Sequence, residues 1–149
     1  RLLQEPFFHQ PPPRSTGREL FHLAWLSDHL AGDEAPRDVQ ATLAELTAVS
    51  VAQGVTQLPL SQPSATLLVC GGGAHNAYLM ERLAAHLPKV TLLSPATLGW
   101  PEDWIEAGAF AWLAHQRLHG LPGNLPSVTG ASGPRVLGGI YAPSGEGRQ

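Results

Sequence analysis

Three glycines in a row, Gly71, Gly72 and Gly73, are the residues of this chain best placed to do chemistry. Without Cβ atoms, their backbone can turn sharply at positive φ and come close to a ligand. They follow a short β-favouring run, Thr66 to Cys70, of the kind found in strands buried on both faces. They precede Asn76, whose side chain can cap a helix beginning there. Such a turn directs free backbone N–H groups and the positive end of a helix dipole at one point, which suits a phosphate. It matches neither G-x-G-x-x-G nor G-x-x-x-x-G-K-[ST]. Two readings therefore stand at this point: a phosphate or nucleotide site, or a tight turn ahead of a well-packed helix.

Other residues invite a chemical reading. Glu106 is a carboxylate in an otherwise apolar helical stretch, and a buried acid needs a partner or a task. Its place in a first helical turn, where a dipole stabilises an anion, offers a plainer role. Arg14, Ser15 and Arg18 can line an anion or nucleotide site. Equally, Ser15 or Thr16 can cap a helix over residues 17–29, with Glu19 completing a capping box. His115 and His119 share a helix face, yet no H-E-x-x-H pattern surrounds them and a last-turn position also suits them.

The elements that position these groups can be read from periodicity. Leu79, Met80, Leu83 and Leu87 recur at helical spacing after Asn76. Val90 to Leu93 reads as a second strand, so residues 66–93 form a βαβ unit with parallel strands. Ligands of such sheets lie beyond the carboxyl ends of the strands, where the glycines fall. Ahead of this unit, residues 36–54 read as a long helix with Pro36 in its first turn, ended by Gly54 and Pro59. Behind it, a helix opened by Pro101 and Glu102 and running to about His119 is apolar nearly all round and is expected to be buried. Val136 to Tyr141 reads as a last strand, and 143–149 as a frayed tail. Residues 1–13 are apolar and then locked in an extended form by Pro11, Pro12 and Pro13, as a rigid connector or, less simply, a proline-rich ligand for an adaptor domain.

Composition narrows the classes. A chain of 149 residues fits one domain with a usable core. Only 14% of residues are charged and the net charge is −3, which argues against a general nucleic-acid surface. A single cysteine, Cys70, permits no internal disulfide and fits a reducing cytoplasm. No apolar run reaches membrane-spanning length, and no signal peptide is visible.

Five segments, in order, resemble the C-terminal part of anhydro-N-acetylmuramic acid kinase: PPPRSTGRELF (Pro11 to Phe21), LLVCGGGAHNAYLMERL (Leu67 to Leu83), EAGAFAWLA (Glu106 to Ala114), GLPGNLPSVTGA (Gly120 to Ala131) and VLGGIY (Val136 to Tyr141). The resemblance implies an α/β fold, the C-terminal lobe of an actin-like, ribonuclease H-like ATPase, with a parallel or mixed sheet flanked by helices. It implies a kinase that uses ATP and water to open the 1,6-anhydro ring of its amino sugar and phosphorylate O6, in cytoplasmic recycling of peptidoglycan. It carries contacts with the adenosine part of ATP onto Gly71, Gly72, Gly73 and Asn76, and a cleft position near the sugar onto Glu106. Arg14 stands where the family more often has lysine, while Arg18 and Glu19 match. ATP and Mg²⁺ are the implied cofactors, and a homodimer is the expected assembly.

The family's phosphate loop, of the type SGTSxDG, and its D-x-GPGN segment with the catalytic Asp are absent from these residues. The chain is thus expected to be a partial lobe, inactive alone, whose main grip on Mg²⁺ and the β- and γ-phosphates lies elsewhere. A non-catalytic nucleotide-binding or interaction module is the other reading. A dehydrogenase would need a dinucleotide fingerprint after the first strand, and there is none.

Overall fold

The computed structural model of the chain describes residues 1–58, 65–101 and 103–141. It divides into two compact units. The first comprises Arg1–Pro11 and Thr16–Glu106, and the second comprises Pro12–Ser15 together with the chain from Ala107 onward.

In the first unit, α1 (Leu23–Ser27) and α2 (Pro36–Thr56) are followed by β1 (Ala65–Leu68), α3 (Ala77–His86) and β2 (Val90–Leu93). The two strands pair in parallel, with Ala65 opposite Val90 and Leu68 opposite Leu93. The expected βαβ unit is therefore present, and the fold is α/β. The strand ends two residues short of Cys70, and its burial alternates instead of covering both faces. Leu68 is 40% exposed and the thiol of Cys70 also faces solvent, so the expectation of a strand buried on both faces is corrected. A two-stranded ribbon leaves one face open, and the alternation records that.

The core sits between α2 and α3. Ala48 and Ala52 lie one turn apart on α2 and are buried, as are Leu83 on α3 and Leu87 at its C-cap. Small side chains on one helix let the leucines of the other settle against it. Pro36 opens α2 at its first turn, where a missing N–H costs nothing, and Asp38 complements the dipole. Ahead of it, the Glu34 carboxylate accepts from the amides of Ala31 and Gly32 at 2.8 and 2.9 Å, which holds its carboxyl below the usual range. The helix runs through Gly54, past the expected end, to Thr56. Pro59, the expected stop, lies outside the described residues, as do the expected tail 143–149 and Glu102.

The helix expected over residues 17–29 is much shorter. It starts only at Leu23, because His22, not Ser15 or Thr16, caps it: His22 Nδ1 accepts from the Trp25 amide at 3.2 Å. Phe21 packs edge-on against Trp25, with ring centroids 5.0 Å apart, and against Phe7 at 5.8 Å. Trp25 Nε1 donates to Glu5 at 3.0 Å. This aromatic cluster holds α1, and residues 2–9, expected as part of a connector, form two short 3-10 turns that supply it.

Helix α4 (Trp104–Leu118) leads into the second unit, which also holds α5 (Pro126–Thr129). The expectation that α4 is buried is corrected. It has no buried residue, and Trp104, Phe110, Trp112 and Leu118 are more than half exposed. Ile105, Gly108, Leu113, Gln116 and Arg117 are partly covered. The strand expected over 136–141 is also absent: residues 136–141 form no strand, and Gly138 among them stands at φ 83°. The loop instead closes on one backbone bond, Gly123 N–H to the Arg135 carbonyl at 2.9 Å, and on side-chain bonds. Asn124 Nδ2 donates to the Gly133 carbonyl at 3.1 Å, and Asn124 Oδ1 accepts from the Arg135 amide at 2.7 Å. Among the described residues no helix is long and apolar enough to cross a membrane.

Candidate nucleotide site

The chain leaves β1 and reaches Gly71 at φ 74° and ψ −176°. That conformation is essentially reserved for glycine. A 3-10 turn, Gly72–His75, follows and delivers the chain to Asn76, whose side-chain oxygen accepts from the Leu79 amide at 3.1 Å. The expected cap is therefore in place, and it starts α3. Ala74 N–H donates to Gly71 and Asn76 N–H to Gly73, at 3.0 and 3.1 Å. Among the described residues no such bond occupies the amides of Gly72 and Gly73.

The bend is open. A Cβ added at Gly71 or Gly72 would meet nothing within 4 Å, and one at Gly73 would meet only Leu79 Cδ2 at 3.5 Å. Gly72 and Gly73 are exposed and Gly71 half-buried. Among the described residues no side chain fills the bend, and it lies past the carboxyl end of β1. Two polar side chains stand beside it. His75, on the 3-10 turn, places Nε2 3.5 Å from Oδ1 of Asp103, which directly precedes α4. Both are well exposed. The Asp103 carboxylate thus stands one side chain beyond the turn that carries the backbone donors, and a carboxylate accepts from hydroxyl groups where backbone amides meet an anion.

The remaining expected site residues stand as follows. Glu106 is exposed in the first turn of α4, not buried, and no hydrogen bond or ion pair ties it to another described residue. The argument for a task from burial is therefore corrected, and its first-turn position against the helix dipole is what the structure shows. Arg18 is exposed in the turn before α1, in the same unit as the glycine bend. Arg14, half-buried, and Ser15, exposed, belong to the second unit. His115 and His119 stack with ring centroids 4.1 Å apart, and His119 Nδ1 lies 2.8 Å from the His115 carbonyl oxygen.

Sequence reasoning missed the ion-pair cluster that fixes α3. Glu45 of α2 accepts from Arg82 Nε at 2.6 Å through Oε2 and from Arg82 Nη2 at 3.2 Å through Oε1, and Oε1 also lies 2.7 Å from His86 Nε2. The Arg82 and His86 bonds hold the Glu45 carboxyl down at about 2, and Glu45 raises Arg82. Arg82 and His86 are four apart on one helix, a signal in itself, but nothing local announces their partner 37 residues earlier. Glu45 also lines a pocket of about 450 Å³ between α1, α2 and the first residues of the chain, walled mainly by Leu2, Leu3, Leu26, Leu30, Leu43 and Leu46.

A parallel βαβ unit, with a glycine bend at the carboxyl end of its first strand, defines an α/β protein. The sequence matches the model of the anhydro-N-acetylmuramic acid kinase family over residues 1–143, and the chain belongs to that family. Curated relatives agree. The chain is 62% identical to the anhydro-N-acetylmuramic acid kinase of Chromohalobacter salexigens, over 95% of this chain and 39% of that protein. It is 57% identical to the one from Xylella fastidiosa, over 94% and 36%, and 54% identical to the one from Photobacterium profundum, over 97% and 40%. The chain thus spans about two fifths of the length of these relatives.

Proposed function

We propose that this chain is the nucleotide-holding, C-terminal part of an anhydro-N-acetylmuramic acid kinase with an actin-like ATPase fold. The open glycine bend after β1, in a member of this kinase family, carries the reading. The Gly72 and Gly73 amides would face the nucleotide, and Asn76 would hold the bend in register with α3. The wider reaction opens the 1,6-anhydro ring with water and transfers a phosphoryl group to O6 in the cytoplasm. Its partners are ATP, the anhydro amino sugar, the rest of the kinase chain and a second copy of it. Glu106, exposed at the start of α4, would meet the sugar, and Arg14, Ser15 and Arg18 would support the nucleotide. Mg²⁺ would be held mainly by residues outside these 149, with the phosphate loop and the catalytic Asp segment.

Phosphoryl transfer depends on positioning and on neutralising the phosphates. A chain without the phosphate loop and the catalytic Asp segment lacks the parts that do so. With ATP and the anhydro sugar, the 149-residue chain is expected to release no ADP above background, while a longer protein carrying both segments turns over. Turnover by the chain alone would contradict the division of labour proposed here.

A further inference from the structure

The open bend offers donors only, and a nucleotide also presents vicinal hydroxyls. We propose that Asp103 accepts from the ribose hydroxyls of the nucleotide and that His75 is the positioning residue that orients its carboxylate. The inference rests on the nucleotide reading of the glycine bend.

Three observations carry it. First, the Gly72 and Gly73 amides point to an anion, because among the described residues nothing else takes them up. Second, the chain brings a carboxylate from 28 residues away to within 3.5 Å of the His75 ring, two residues beyond Gly73. A carboxylate repels phosphate and accepts from hydroxyls, so it sets the direction of a ligand with one anionic and one hydroxyl-bearing end. Third, both side chains are open to a ligand, with 61% of the His75 side chain and 76% of that of Asp103 exposed. An exposed pair at this distance contributes little to stability, which leaves its groups available.

Asp103 also occupies the position before the first residue of α4, where it can cap the helix. The test must separate the two roles. Asp103→Ser keeps a capping hydroxyl but withdraws the carboxylate. It is made in the longer kinase that carries the phosphate loop, beside His75→Ala and Gly72→Val. KM and kcat are measured for ATP, 2′-deoxy-ATP and 3′-deoxy-ATP, with the melting temperature of each variant. The unsubstituted enzyme should prefer ATP over at least one deoxy form by about tenfold, the scale of a hydrogen bond to a charged acceptor. Asp103→Ser should raise KM for ATP by a similar factor and erase that preference, with kcat and melting little changed. His75→Ala should lose part of the preference. If Asp103→Ser melts early, Asp103→Asn, also a good cap, takes its place and should weaken the preference. An intact preference in the Asp103 variant overturns the proposal. If Gly72→Val raises KM for ATP in that same series, the nucleotide reading stands without it. If Gly72→Val leaves KM unchanged, that reading fails, and the ribose assignment with it.

Discussion

At Gly71 the backbone occupies a region in which any side chain is strained, and at Gly72 it does not. Gly71→Ala should therefore destabilise the protein by about 1–3 kcal/mol. Gly72→Ala should leave stability nearly unchanged, and denaturant titration of the pair checks this contrast. Glu45 makes a pH prediction. Its carboxyl is lowered in the fold from 4.5 to about 2 by Arg82 and His86. The stability it supplies is complete above about pH 4.5 and drains away as pH falls towards 2. Glu45→Gln should flatten the acid limb of the stability curve, measured by urea midpoints from pH 5 to pH 2; an unaltered limb would remove the pair from the account. At this scale the glycines and the Asn76 cap were legible, since each follows from local backbone chemistry. Glu45 was not, because its partners are set by the packing of two helices, and Glu106 misled because an apolar sequence does not by itself supply a cover.

The helices divide in the same way. α3 was readable from Leu79, Met80, Leu83 and Leu87, and two of these, Leu83 and Leu87, are in the core. Leu83→Ala should cost about 2–5 kcal/mol, as for a buried leucine whose neighbours close in only partly. Asn76→Ala should cost about 1 kcal/mol by leaving the Leu79 amide without its cap. Thermal unfolding of the two variants should rank them in that order, and an Asn76→Ala variant more damaging than Leu83→Ala would contradict the packing described. α2 was legible from Pro36 and its apolar spacing. α1 was not, because the Thr16–Glu19 pattern reads as a capping box, whereas Glu19 Oε2 folds back to 2.7 Å from where a Gly17 Cβ would stand and helix begins only after His22. The 136–141 segment has the composition of a strand but no strand beside it, and the Asn124 amide holds the neighbouring backbone instead.

For the molecule as a whole, the parallel βαβ unit was legible from one strand, one glycine turn and one helix, since the connection allows few other arrangements. The exposure of α4 was not, because burial depends on what lies against a helix as well as on its own residues. Family membership rests on the match over residues 1–143, while the relatives run to more than twice the length of this chain. Activity of the whole kinase is therefore tested in the longer protein. The most direct test is the KM for ATP of a longer kinase carrying Gly72→Val, set against Gly72→Ala and the unsubstituted enzyme. A branched side chain in the open bend should raise KM for ATP about tenfold or more, with melting temperature and kcat little changed, and Gly72→Ala should fall between. An unchanged KM for ATP in a folded Gly72→Val enzyme would contradict the account.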